Sequence, residues 1–472
     1  MNFLSILHFR QQGTFFESMK RYVVTMVMAV VLAGLGGYVY WVELPTERAK
    51  TETEATEKKL LPFTEREITG VTVHSESGDI VLVSKDGTWQ MTAPIQTEAD
   101  ARVVQSMLRA LALGRITRVV EEQATALGPF GLDKPSMILT LTADSQHETV
   151  SIGESGPISS TLYAMRASDK KVLLTDLSTK DFLNKTLLSF RKKEVLPLES
   201  SQVERVRLTY PKTEIVLYRT DAKDNKKKWS IRYPIEASAD QAEVRTLLMK
   251  LDDLKALAFI DPGPQRDEQV KKLTKPDIKI MVYARGVEHT VKLYQPDPSS
   301  GEAFAVTTPE APIYRINPMM LKDLTKDLFA LQDKRLLGIE GDDLAMLEVK
   351  TRDDHYTLIP QNNTWVMEDA PQKTLDQEKV ALFVSRVVDL PAEIRIVKQA
   401  GPLAPYGLSS PTAEFTATGK DGKVKGRLVL GTRAGGLVYA MGHGLPGVFQ
   451  ARSDLLSQIP LKHELEKIPA GT

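Results

Sequence analysis

Thr88-Trp89-Gln90-Met91-Thr92-Ala93-Pro94-Ile95-Gln96-Thr97-Glu98-Ala99-Asp100-Ala101-Arg102-Val103-Val104 is the stretch whose reading decides the fold, because its skeleton is written three times in the chain. Trp89 recurs as Trp229 and Trp365, and Pro94 as Pro234 and Pro371. Asp100 recurs as Asp240 and Asp376, and Val104 as Val244 and Val380. The tryptophans lie 140 and 136 residues apart (229 − 89 and 365 − 229). A unit of that length falls in the usual ~100–150 residue domain range and can bury its own core.

Within the first copy the pattern reads outward in both directions. Ile68–His74 and Ile80–Ser84 alternate apolar and polar residues, as half-buried strands do. Asp86-Gly87 turns the chain into a third strand around Trp89 and Met91, which Pro94 ends. Asp100 stands at a helix N-cap, where its carboxylate accepts free backbone N–H groups. Val104, Met107, Leu108 and Leu111 then make one apolar stripe of a 3.6-residue period. The stripe recurs in register as Val244, Leu247, Leu248, Leu251 and as Val380, Phe383, Val384, Val387. Glu243, three after Asp240, comes close to a capping box.

A strand is expected after each long helix, at Ile116–Val120 and Ile394–Val397. A second marker follows: Phe130-Gly131-Leu132-Asp133-Lys134-Pro135, Leu273-Thr274-Lys275-Pro276 and Tyr406-Gly407-Leu408-Ser409-Ser410-Pro411. Copy two has no glycine there, so its turn must differ. Further strands are expected at Ile138–Thr142, Thr149–Ile152, Tyr163–Met165 and Val172–Leu174. A closing helix is expected from Ser178 through Leu187, from Pro318 to Leu331, and from Ser453 to Ile459. The fold class is therefore α+β: an N-terminal transmembrane helix, then three tandem repeats of a mostly antiparallel β unit with two helices each. The polar joints Arg191-Lys192-Lys193-Glu194 and Gln332-Asp333-Lys334-Arg335 are short, which favours packed units over swinging beads.

Tyr22–Val42 is an uncharged run of 21 residues, about 31 Å long as a helix and matched to the ~30 Å hydrocarbon core. Tyr22 at one end and Tyr38, Tyr40 and Trp41 at the other are placed as interface aromatics. Lys20 and Arg21 abut the first end, whereas Arg48 is the first basic residue beyond the second, so the bulk of the chain is expected outside the cytoplasm. The run exceeds a signal-peptide core and no small-x-small site closes it, which favours a retained anchor. Met19 is an alternative start; residues 1–18 are either an upstream extension of the reading frame or part of a short cytoplasmic tail. The expected organisation is tail 1–21, membrane helix 22–42, polar linker 43–62, repeats 63–193, 194–335 and 336–462, and C-terminal tail 463–472.

The 472-residue chain has 61 basic and 61 acidic residues, so no basic surplus points to nucleic acid. It has no cysteine, which excludes disulfides, thiolate catalysis, Cys-ligated metals and an acylated lipoprotein anchor. Its seven histidines share no metal-ligand spacing. There is no phosphate loop, dinucleotide fingerprint or nucleophile elbow. Gly431-Thr432-Arg433-Ala434-Gly435-Gly436 reads as a hairpin turn, and Ser189-Phe190-Arg191-Lys192 matches a serine–lysine motif without that enzyme class's partner motifs. Lys226-Lys227-Lys228 reads as a solvated turn, with anionic lipid as a weaker option. The tryptophans read as core, and no catalytic, cofactor or metal residue is assigned.

On Gly87-Thr88-Trp89, Ala99-Asp100, Phe130-Gly131-Leu132-Asp133-Lys134-Pro135 and Tyr406-Gly407-Leu408, the chain resembles the bacterial domain of unknown function family 4340 over roughly Phe63 to Pro460. The resemblance implies one N-terminal anchor followed by repeats of this α+β unit. Members are often encoded beside ABC transporter components of the gliding-motility type, which implies an accessory role at an exporter in the inner membrane. The expected function is thus a non-enzymatic, single-pass extracytoplasmic repeat protein that binds a transporter subunit or another envelope component. The alternatives are an envelope binding module for an apolar or glycan ligand held beside a tryptophan, and a hydrolase with a cryptic site.

Overall fold

The computed structural model describes residues 26–28, 30–35, 37–38, 40–41, 58–75, 78–158, 161–176, 185–221, 227–399 and 401–467. In the first repeat, β1 (Ile68–Ser75), β2 (Gly78–Lys85), β3 (Thr88–Ala93) and the two-residue β4 (Thr97–Glu98) precede helix α1 (Ala101–Leu113). Then come β5 (Arg115–Glu121), β6 (Met137–Ala143), β7 (Gln146–Ser155), β8 (Thr161–Arg166), β9 (Val172–Asp176) and the one-turn α2 (Leu187–Phe190). They form a nine-stranded sheet in the order β4-β3-β2-β1-β6-β7-β8-β9-β5. Two antiparallel meanders therefore join at the β1–β6 pair, and α1 carries the chain across so that β5 closes the far edge beside β9.

The second repeat repeats the plan. It comprises β10 (Val203–Thr209), β11 (Glu214–Asp221), β12 (Lys227–Tyr233), β13 (Ala237–Ser238), α3 (Gln241–Asp252), β14 (Ala258–Ile260), α4 (Pro264–Lys272), β15 (Ile278–Ala284), β16 (Val287–Tyr294), β17 (Ala303–Val306), β18 (Ile313–Ile316), α5 (Pro318–Leu324) and α6 (Leu328–Leu331). Its sheet order, β13-β12-β11-β10-β15-β16-β17-β18-β14, is the same. The third repeat comprises β19 (Leu344–Thr351), β20 (His355–Gln361), β21 (Thr364–Met367), α7 (Gln377–Val388), β22 (Ile394–Val397), β23 (Ala413–Gly419), β24 (Val424–Ala434), β25 (Leu437–Gly442), β26 (Leu445–Arg452) and α8 (Asp454–Ser457). Its sheet has eight strands, β21-β20-β19-β23-β24-β25-β26-β22, without a counterpart of β4 or β13.

Each repeat has its own core. In all three, the helix stripe read from the sequence is the buried face of the long helix. The caps hold as well. Asp100 accepts from the amides of Arg102 and Val103, Asp240 from those of Ala242 and Glu243, and Asp376 from that of Lys379. The peptide bonds before Pro94 and Pro234 are cis.

Both ends of each repeat are tied beside the long helix. The incoming chain bridges just after it, as Lys59–Arg115, Glu194–Lys255 and Arg335–Pro391. The outgoing chain bridges just before it, as Ala99–Arg191, Ala239–Gln332 and Leu375–Glu466. There the cap amides of Asp100, Asp240 and Asp376 donate to the carbonyls of Phe190, Leu331 and Leu465, three residues with no solvent exposure.

Several expectations need correction. Leu60 and Leu61 are buried in the first core, so the polar linker stops short of 62. Leu465 is buried in the third core, so the C-terminal tail begins later than 463. Within the polar joints, Arg191 and Gln332 are both buried. The closing helix of the third repeat is shorter than expected, since α8 has four residues, and the second repeat splits its helix into α5 and α6 around Thr325. Residues 177–184 of the first closing segment lie outside the described residues.

The expected tail 1–21, most of the linker and the ends of the Tyr22–Val42 run also lie outside the described residues. Within that run, residues 26–28, 30–35 and 37–38 are helical. The large apolar side chains described there are exposed, from Met26 at 71% to Trp41 at 80%. Among the described residues, no helix is long and apolar enough to cross a membrane.

The chain divides into two compact units, residues 1–193 and 194–472. The second holds repeats 2 and 3. Phe329 of α6 stacks on Phe449 of β26, with centroids 5.9 Å apart and planes 18° apart. The Arg395 guanidinium lies 4.5 Å from the Phe329 ring centre and 5.5 Å from that of Phe449. A cation over two rings adds about 0.5–1 kcal/mol or more for each well-placed contact. Repeat 2 thereby plugs an aromatic side chain into the margin of the third core.

Candidate functional site

A cleft of about 950 Å³ lies in the second unit where repeats 2 and 3 meet. Repeat 2 contributes the start of β12 with Lys228 and Trp229, and the cap region with Asp240 and Gln241. The joint adds Asp333 and Arg335. Repeat 3 contributes Glu340–Asp342, Leu344, Trp365 and one side of α7, where exposed Ala381, Ser385 and Asp389 flank the buried Val384 and Val388.

Polar side chains brace this joint. Lys228 Nζ donates to both carboxylate oxygens of Glu340, at 2.8 and 2.7 Å. Thus Lys228 is a strut between repeats, not the solvated turn expected for the lysine run. Both partners are about half exposed, so the pair adds at most about 1 kcal/mol. Arg335 forks onto Asp333, with Nε 3.1 and 3.0 Å from its two oxygens and a terminal nitrogen at 2.6 Å. Hydrogen bonding to Asp333 holds the Arg335 pKa above its ordinary value, with Glu340 and Asp389 adding to the field. Asp240, besides capping α3, lies 3.3 Å from Lys334 Nζ.

The tryptophans divide. Trp89 is 5% exposed and Trp229 8%, as expected of core residues, whereas Trp365 is only partly buried and packs at the margin of its core. A device missed in the sequence reading fixes the last two backbones. Gln241 Oε1 accepts from the Trp229 amide at 2.8 Å, while its Nε2 donates to the carbonyls of Trp229 at 2.9 Å and Ala239 at 2.7 Å. Gln377 clamps Trp365 and Leu375 in the same manner. The signal was present as Asp-Gln at 240–241 and 376–377, against Asp-Ala at 100–101.

The motifs weighed for chemistry have structural partners. Ser189 Oγ accepts from the Thr186 amide within a capping box, and Lys192 Nζ binds Glu98 at 2.6 Å. Gly435-Gly436 forms the turn between β24 and β25. His74 pairs with Asp79 and His355 with Glu348, each at 2.8 Å in a different repeat. Among the described residues, no group of three His, Asp or Glu is arranged to hold a metal ion. What the cleft can do chemically is bind: it offers apolar surface from one repeat beside charged groups of both.

The family model described as a domain of unknown function (DUF4340) matches residues 89–276, 229–393 and 365–464. Each match begins on one of the three repeated tryptophans, and the first two run past the next one, so the family's unit as matched is longer than one repeat. No curated protein matches the chain.

Proposed function

We propose, from the premise that this chain belongs to the DUF4340 family, that it is a non-enzymatic repeat protein tethered to the cytoplasmic membrane, with its repeats on the extracytoplasmic side binding a partner. The partner class that the family resemblance implies is an ABC-type transporter subunit or another envelope component. One observation carries the tether: large apolar side chains between Met26 and Trp41 stand exposed on helical turns. Such a surface is costly in water and favourable in lipid. Deleting residues 22–42 is expected to move the protein from the membrane pellet to the soluble fraction. Affinity capture of the full chain from detergent-solubilised membranes is expected to recover an envelope or transporter partner; recovery of none argues against the partner reading.

The reading as a binding module for an apolar or glycan ligand gains support from Trp365, which is partly buried and lines the cleft. The hydrolase reading has less behind it. The cleft carboxylates Asp240, Asp333 and Glu340 are engaged in caps or ion pairs, and the Ser385 hydroxyl that donates to Asp389 lies with it on the exposed side of α7.

A further inference from the structure

We infer that the cleft between repeats 2 and 3 is the docking site for a segment of a protein partner that sets basic side chains beside an apolar or aromatic one; this rests on the partner-binding reading above and assigns it to one place. Three features of the cleft converge on that occupant. The first is position. The cleft is built by two repeats jointly, and its walls are fixed by the Lys228–Glu340 strut, the Arg335–Asp333 fork and the Phe329–Phe449 stack. A braced concavity loses little freedom on binding.

The second is the apolar surface that repeat 3 presents. In the other two repeats the tryptophan is buried, yet Trp365 remains partly open and faces the cleft beside Ala381, an exposed residue of α7. Partly buried indole rings are frequent anchors for partner side chains, because one face is apolar and large.

The third is charge. Five carboxylates line the cleft against Lys228 and Arg335, so its field favours cations. Asp240, Asp333 and Glu340 already hold Lys334, Arg335 and Lys228. Asp342 and Asp389 remain at the rim, both exposed, with Asp389 accepting the Ser385 hydroxyl and lying in the field of Arg335. Exposed rim carboxylates next to an apolar wall complement arginine or lysine flanking a leucine or aromatic residue.

The test uses the full chain in phosphatidylcholine nanodiscs, with empty discs as the blank, and three fluorescent octapeptides: alternating Arg-Leu, Glu-Leu and Arg-Ser. At low salt the Arg-Leu peptide is expected to bind at least tenfold more tightly than either other. Ala381→Arg, which sets a cation on the apolar wall, is expected to weaken it at least tenfold with the melting temperature unchanged. Asp342→Asn combined with Asp389→Asn is expected to weaken it at least threefold. Should Ala381→Arg fail to fold, Ser385→Arg on the same face takes its place. Equal binding of the Glu-Leu peptide, or undiminished binding by a folded Ala381→Arg protein, overturns the assignment. If wild type and Ala381→Arg recover the same envelope partner equally from membranes, the cleft is wrong and the partner reading stands. If wild type binds the Arg-Leu peptide but recovers no envelope partner, the cleft stands and the partner reading fails.

Discussion

Asp240 illustrates how single residues carry this architecture. Its carboxylate accepts two amides of the first turn of α3, its own amide donates to Leu331, and Lys334 lies beside it. Replacing it by alanine should cost about 1 kcal/mol, up to about 2, and replacing it by asparagine much less. Hydrogen exchange in the first turn of α3 measures this, and equal protection in both variants would remove the capping role. Tyr210 and Tyr356 make a second case. The Tyr210 hydroxyl donates to the Lys326 carbonyl and that of Tyr356 to the Pro460 carbonyl, and burial pushes both phenols well above their ordinary pKa. A raised folded-state pKa gives stability that is complete below about pH 10 and is lost as pH climbs from there toward the folded value. The second unit should therefore weaken steeply above pH 10, and Tyr210→Phe with Tyr356→Phe should flatten that decline while lowering stability at pH 7. An unchanged alkaline slope in thermal melts of the double variant would contradict the assignment.

At the scale of elements, the Gly-Leu-x-x-Pro turn shows why glycine recurs in repeats 1 and 3. Gly131 and Gly407 both sit in the left-handed region after a short 3-10 turn, at φ 64° and 69°. A side chain on Gly407 would meet the Thr432 amide at 2.8 Å as well as its hydroxyl. The neighbouring strands carry matching glycines: a Cβ on Gly153 would strike the Phe130 carbonyl, and one on Gly431 the Tyr406 carbonyl. Repeat 2 replaces the turn with α4, as its missing glycine requires. Gly407→Ala should cost on the order of 1–3 kcal/mol. Gly435→Ala, at a hairpin tip with open space around it, should cost less because only its positive φ of 65° opposes the change. Thermal shifts of the two variants rank them, and the reverse order would refute the turn's role. The long helices and strands were legible because apolar periods of 3.6 and 2 recur in register. The closing helix of repeat 3 was overread because its apolar residues, such as the buried Leu455, anchor a single turn. The bridging segments at 58–61 and 465–467 were misread as linker and tail because their few buried residues, Leu60 and Leu61 in one and Leu465 in the other, carry no period.

At the scale of the whole molecule, three cores were legible from the threefold marker, but the cleft was not. It depends on how Glu340 meets Lys228 across a joint, and nothing in a linear pattern reports that meeting. Repeats 2 and 3 form one compact unit, so a fragment spanning residues 194–472 should express as a folded protein that retains the Lys228–Glu340 contact. A circular dichroism melt with no transition in that fragment would contradict it. The claim on which the functional account turns is that the repeats stand outside the cytoplasm on a single N-terminal tether. A chain without cysteine permits a direct measurement: single Ser5→Cys and Lys420→Cys proteins, each treated in intact spheroplasts with a membrane-impermeant maleimide. The account predicts that Lys420→Cys is labelled from outside and Ser5→Cys only after the membrane is permeabilised. Labelling of Ser5→Cys alone in intact spheroplasts, or protection of both, would contradict it.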